Sequence, residues 1–454
     1  MPCVYGHLSA RHARRSQEGP PVHASAPEET AAPVPRPVTR SRFGSWIPGL
    51  LYDTAFRRYW TAQTVSYLGD QVSALAIPLI AVTVVHADAA QIGYLGAAVW
   101  LPHLLFGPWA GLWADGRRHR RRVMIAADLG RFALLLGLPL VYALGTLTFT
   151  VLFTVAFGVG LLSVLFEVCN PPLFKALVPT DDYVAGNALG SGSRAMAKVV
   201  GPSAGGFLVQ LASAPIALLV DALSYLVSAV FLARIAPQEA PPSRNRVRLR
   251  AAGRFIVRSR SIRAALGATA TLNFFCFVTT TLFVLYATTT LGLGAGLLGT
   301  VLGAGAVGAV VGAVSATWLT RRLGVGRTLL LGCLATPAPL LLIPAAHGSG
   351  NAVLLMLVGA QFGSAMGVIW IDITAATLLT SLVPDTMRSS VFGAYQGVNL
   401  GMRPLAALLA GALAGPLGLR ATLWIAAAGA LTACLWILPS PLSRRALPAA
   451  GQEG

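Results

Sequence analysis

The chain has 454 residues, 55% of them hydrophobic and only 11% charged, with a mean hydropathy of +0.68. A soluble domain carries about a quarter of its residues charged, so this one has too little polar surface for a water-soluble globule and a plain cytosolic enzyme is excluded. The formal net charge of +18, from 34 basic and 16 acidic residues, raises two alternatives, a nucleic-acid partner or a membrane surface, and the positions of the charges decide between them.

Residues 1–52 read as a basic tail, rich in Pro, Ala, Ser and Arg, that lacks the apolar stretch of a cleaved signal peptide. From Trp60 onward, twelve helical spans are predicted: 61–85, 91–113, 122–143, 148–168, 185–210, 215–234, 266–290, 294–317, 327–345, 351–376, 390–414 and 419–438. Most have the roughly 20 residues needed to cross a hydrocarbon core. The predicted division is a six-helix bundle over 53–234, a basic middle loop over 235–264, a second bundle over 265–440 and a tail over 441–454. Within the middle loop, Leu249, Phe255, Ile256 and Ile262 set against arginines predict a short surface helix suited to an anionic leaflet.

The arginines cluster after span 2 (Arg117, Arg118, Arg120, Arg121, Arg122), after span 6 (Arg234 and Arg244 to Arg263) and after span 8 (Arg321, Arg322, Arg327). The loops after spans 1, 3, 5, 7 and 9 carry no Lys or Arg. By the positive-inside rule both termini face the cytoplasm, and the net charge needs no nucleic acid to explain it. The five cysteines are scattered singly, with no metal-ligand spacing and no His cluster, so neither a disulfide framework nor a metal site is expected. No G-x-S-x-G, Walker A loop or HExxH is present, which argues against an enzyme, a bound cofactor and ATP-driven transport on this chain.

The halves repeat. Leu177-Val178-Pro179 recurs as Leu382-Val383-Pro384, an offset of 205, and Ile92-Gly93-Tyr94-Leu95 aligns with Leu298-Gly299-Thr300-Val301 at 206. The same offset pairs Glu167, near the inner end of span 4, with Asp372 near the inner end of span 10, and Lys198 in span 5 with Arg403 in span 11. Charges at such depth are costly and tend to face a bundle interior. Glu167 and Asp372 suit salt bridges of an inner gate that break and re-form. Arg194, Lys198 and Arg403 suit two roles, drawing in an anionic substrate group or balancing the acids. Asp128 and Arg131, one turn apart, suit anchoring of the arginine loop, and Asp221 suits structural pairing in span 6 or proton coupling. Trp100, Phe274, Phe275, Phe277, Trp370 and Tyr395 are candidates for an apolar pocket or for plain packing.

The six-plus-six plan, with a basic middle loop, resembles the major facilitator superfamily over residues 53–440. The stretch from Gly111 through Asp115, Arg117 and Arg118 to Arg122 is similar to that family's loop signature, which implies a latch on the cytoplasmic side; Gly116 and Arg118 depart from it, and the second-half copy at Arg321, Arg322 and Gly324 lacks the acid. Gly201-Pro202-Ser203-Ala204-Gly205-Gly206 in span 5 resembles the family's antiporter motif. Phe56 to Trp60, Gly69-Asp70-Gln71 and the segment from Asp372 to Pro384 with Arg388 resemble the macrolide-efflux and enterobactin-exporter-like branch, although Ser389-Ser390 stands where a Gly-Arg pair is usual.

The resemblance implies an all-α polytopic protein of two pseudo-symmetric bundles in a bacterial inner membrane, working as a monomer. It implies export of a small, largely apolar organic compound such as a drug or secondary metabolite, in exchange for protons; the alternative is an importer or facilitator of a polar metabolite. Because span 1 lines the cavity in that family, Asp70 is the leading proton-coupling candidate, against the alternative of a packing aspartate bonded to a Ser or Gln.

Overall fold

The computed structural model describes residues 49–115, 119–236, 249–348, 350–384 and 387–440. Arg117 and Arg118 of the loop signature lie outside the described residues, as do both tails, and of Gly111 and Asp115 only the helical backbone is described. Among the described residues the chain is helical throughout, with no strand.

The first half comprises α1 (Thr54–Thr83), α2 (Ala89–Asp115), α3 (Arg120–Ala143), α4 (Phe149–Leu177), α5 (Tyr183–Ala212) and α6 (Ala214–Ala233). Asp53 caps α1, its Oδ1 accepting from the Ala55 N–H at 2.7 Å. The second half comprises α7 (Leu249–Arg258), α8 (Arg260–Thr289), α9 (Ala295–Leu323), α10 (Val325–Ala335), α11 (Leu342–Ala345), α12 (Asn351–Leu382), α13 (Arg388–Leu417), α14 (Leu419–Leu431) and α15 (Cys434–Ile437). The predicted span over 327–345 is α10 and α11 together, broken where Pro337 and Pro339 withhold donors from the helical ladder.

Eleven segments are long and apolar enough to cross a membrane; the helix of similar length outside that set is α5, diluted by Arg194, Lys198 and a run of glycines and serines. Large apolar side chains on outward faces, among them Trp109, Val314 and Leu355, are left for lipid.

Packing repeats between the halves. In the first, α1 packs on α5 and α6, α2 on α4, and α3 on α4 and α6; in the second, α8 packs on α13 and α14, α9 on α12, and α10 on α12 and α15. The halves meet where α2 lies on α13 and α5 lies on α9. Both crossings are built on glycine. A Cβ on Gly93 would stand 2.7 Å from the Ala407 carbonyl oxygen and 2.8 Å from Gly411 Cα; on Gly299 it would stand 2.6 Å from the Pro202 oxygen and 3.0 Å from Gly206 Cα. In lipid, where apolar burial drives little, such close backbone approach supplies the attraction. The offsets of 205 and 206 carry Gly206 to Gly411 and Gly93 to Gly299, so the two seams are copies of one contact. They lie toward the end of the molecule opposite the arginine-rich loops.

The short helix predicted in the middle segment divides differently: Ser259 separates α7 from α8, its Oγ accepting from the Ile262 N–H, so Ile262 belongs to the long helix. The apolar face of α7 also meets protein rather than lipid, with Ala252 and Ile256 buried in a cluster with Ala375, Leu379, Val391 and Tyr395.

Candidate functional site

Polar groups gather at two places. The first lies inside the first half, where α1, α3 and α6 converge. Asp70 is near the middle of α1 and accepts from the Tyr225 hydroxyl at 2.6 Å. Behind it, Asp221 accepts from Ser73 and, at 3.1 Å, from Ser224, and is wholly buried. Asp128 accepts from Arg131 and, at 2.7 Å, from Ser228. The Arg131 guanidinium lies 4.3 Å from the Tyr225 ring centre and 4.5 Å from that of Phe166, and its charge acts on Asp70 and Asp221 as well as Asp128. Gly69 makes the cluster possible, since a Cβ there would collide with both Ser224 Oγ and Asp221 Oδ1.

A carboxylate away from water holds its charge only beside donors or a cation. Here three aspartates share one arginine, so the cluster holds fewer positive charges than carboxyls and has room for protons. Asp128 and Arg131 thus find their described partners in the bundle core rather than in the arginine loop.

The second place is the space between the halves. Glu167 and Asp372 each stand ten residues before the ends of their helices, at Leu177 and Leu382. They therefore stand further from the helix ends than the predicted spans placed them, because α4 continues through Pro171 and Pro172 and α12 through Thr377 and Thr380. Glu167 is 64% exposed, and its Oε2 lies 3.4 Å from His103 Nε2. His103 stacks at 5.2 Å on Trp100, and Trp100 meets Phe277 of the other half edge-on at 6.1 Å. Over that indole lies Arg403, its Cζ 4.1 Å from the ring centre. Lys198 and Arg403 both act electrostatically on Asp372, and Arg194 lies over Tyr67 at 5.3 Å.

The structure thus brings Asp70, Asp128, Arg131 and Asp221 together in one cluster and Glu167, Asp372, Lys198 and Arg403 around one space. Of the predicted span-5 motif, Gly201 and Gly205 seat α5 on Gln71 and Val72 of α1, Pro202 lies within the helix, and Gly206 belongs to the seam with α9. Trp100 and Phe277 line the contact between halves, whereas Tyr395 is buried with its hydroxyl 2.8 Å from Thr269 and Trp370 donates to Ser315 at 2.9 Å. Sequence reasoning missed His103, Tyr225, Ser73 and Ser228. A lone histidine within an apolar span was the one available signal; the others are visible only once three helices are placed side by side. No group of His, Cys, Asp or Glu suited to a metal occurs among the described residues.

Comparison with known proteins matches residues 59–399 to the family described as Major Facilitator Superfamily. An "Uncharacterized MFS-type transporter YfiS" of Bacillus subtilis (strain 168) is 29% identical over 171 residues, 38% of this chain and 40% of that protein, so the match spans well under half of the relative. A point-mutant form of the nucleoside transporter NupG superposes with a TM-score of 0.70 at 11% identity, over 85% of this chain and 99% of that one. A bacterial homologue of the iron transporter ferroportin, in an inward-facing state, superposes with a TM-score of 0.68 at 17% identity, over 88% and 100%. At these identities the structural likenesses establish the fold.

Proposed function

The chain belongs to the Major Facilitator Superfamily, a multi-pass membrane transporter family, and from that premise we propose that it is a proton-coupled exporter of a small organic compound with a largely apolar body, acting as a monomer with both termini cytoplasmic. In a bacterium its place is the cell membrane. The observation that carries this reading is the cluster of Asp70, Asp128, Asp221 and Arg131 inside the first half, in which Tyr225 ties Asp70 of α1 to α6 by a hydrogen bond.

Transport would proceed by alternation between two states. Glycine seams hold the halves together at one end, while Glu167, Lys198 and Asp372, further along α4, α5 and α12, are exposed. Opening the seams and closing around Glu167 and Asp372 would present the same space to the opposite side. Asp70 gains a proton on one side, which loosens its attraction to Arg131, and loses it on the other. Substrate and proton would then move in opposite directions.

The test uses inside-out vesicles carrying the full chain in a host lacking its own efflux pumps, with a panel of antibiotics and dyes as probes. Addition of a transported probe should dissipate an imposed acid-inside gradient, and the host should lose its resistance when an uncoupler is added. Asp70→Asn should insert normally and reduce pH-driven movement by about tenfold or more. Efflux that survives in Asp70→Asn removes Asp70 from the coupling, and efflux indifferent to the uncoupler removes antiport.

A second reading, an importer or facilitator of a polar metabolite, draws on the exposed charges of Glu167, Lys198 and Asp372 in the cavity. Transport into right-side-out vesicles would establish it.

A further inference from the structure

Among the described residues Arg194, Lys198 and Arg403 make no ion pair within 4 Å and no hydrogen bond, and Asp372 has no such partner either. Around the central space these three cations face two carboxylates, Glu167 and Asp372, while Asp70 of the neighbouring cluster adds its charge at longer range. An intramembrane cation is costly unless something pairs with it.

Arg403 is placed as a recognition group. Its guanidinium lies 4.1 Å from the Trp100 ring centre and 5.8 Å from that of Phe277, where the two rings meet edge-on at 87°. With no hydrogen bond or ion pair among the described residues, the Arg403 N–H groups are left for an acceptor, and a guanidinium can take a carboxylate through two parallel hydrogen bonds. The aromatic corner beside it accepts a flat apolar body. Trp100 comes from α2 of one half, and Phe277 and Arg403 from α8 and α13 of the other, so a ligand seated there touches both moving bodies.

We propose that the transported compound is a monoanionic aryl carboxylate, its carboxylate held by Arg403 with the charge of Lys198 behind it, and its ring in the corner of Trp100 and Phe277. This rests on the transporter reading above and names its substrate class. The two carboxylates turn away dianions, and a cationic aryl compound would have to displace Arg403 from Trp100.

The experiment measures equilibrium binding to the full chain in lipid nanodiscs at fixed pH and low salt. The probes are 2-naphthoate, indole-3-acetate and 4-phenylbutyrate, each beside its primary amide and its amine analogue. The expected result is saturable binding of the carboxylates, with amides and amines weaker by about tenfold or more. Arg403→Gln should abolish that preference while leaving amide binding as it was, and Arg403→Lys, which keeps the charge but not the fork, should retain part of it. The proposal is overturned if no carboxylate binds better than its amide, if the amines bind best, or if Arg403→Gln keeps the preference in a protein whose thermal unfolding is unchanged. Should Arg403→Gln fail to fold, Arg403→Met serves in its place with the same criterion. Proton coupling is read separately: carboxylate-selective binding without pH-driven movement breaks the antiport reading alone, and pH-driven movement of neutral probes only breaks this one.

Discussion

The cores of the two halves share a packing plan and differ in charge. Under the offsets of 205 and 206, Asp70, Asp128, Arg131 and Asp221 fall on Cys276, Cys333, Thr336 and Ala426, and Tyr225 and Ser228 fall on Ala430 and Ala433. The packing has been kept by exchange of volumes: Gly69 lies against Ser224, and at the equivalent place Phe275 lies against Gly429; Gly130 lies against Leu162, and Ala335 against Gly367. Among the described residues, the wholly buried charged side chains are in the first half. A duplicated scaffold has thus divided its labour, with one core able to bind protons and the other nearly inert, while the charges facing the shared space, Glu167 with Asp372 and Lys198 with Arg403, remain matched.

The difference can be broken or sharpened by substitution. Arg131→Met leaves Asp128 and its neighbours buried without a cation and should lower stability by about 3–5 kcal/mol, whereas Thr336→Ala at the matching site should cost no more than about 1 kcal/mol, because the Thr336 hydroxyl has no hydrogen-bond partner. Thermal unfolding of the detergent-solubilised chain reads both, and equal losses would show that the first core is not electrostatically special. Gly93→Ala and Gly299→Ala push a methyl into backbone and should each cost about 1–3 kcal/mol; a marked inequality would deny that the seams are equivalent. Tyr225→Phe removes a bond to a carboxylate and should cost about 1.5–3 kcal/mol, against about 0.5–1.5 kcal/mol for Tyr395→Phe, which loses a neutral partner in Thr269. Val257→Ser, on the exposed face of α7, should stay within about 0.5 kcal/mol, and a larger change would mean that α7 is buried by something else.

The sequence revealed the fold because apolar blocks and arginine placement are one-dimensional signals. The repeat offset was equally legible, and it led to Gly93, Gly299, Gly206 and Gly411 as one contact used twice. The position of Glu167 and Asp372 within their helices was misjudged because both helices run past the predicted span ends at 168 and 376, to Leu177 and Leu382. The partners of Asp70 and Asp128 were hidden for a different reason. Tyr225 and Ser228 are one turn apart on α6 and about a hundred or more positions from the acids they serve, and no periodicity connects them. His103 was legible in principle, as an ionisable residue in an otherwise apolar span.

The seams between the halves have a kinetic consequence. Side chains that interlock must change rotamers together before two bodies part, and such cores switch between discrete arrangements rather than slide. At Gly93–Gly411 and Gly206–Gly299 main chain rests on main chain, so little has to be rearranged before separation begins. On the proton-coupled reading proposed above, the activation barrier for turnover would be governed by moving charge, at Asp70 and around Arg403, and turnover should depend more steeply on proton supply and on ligand charge than on the viscosity of the surrounding lipid.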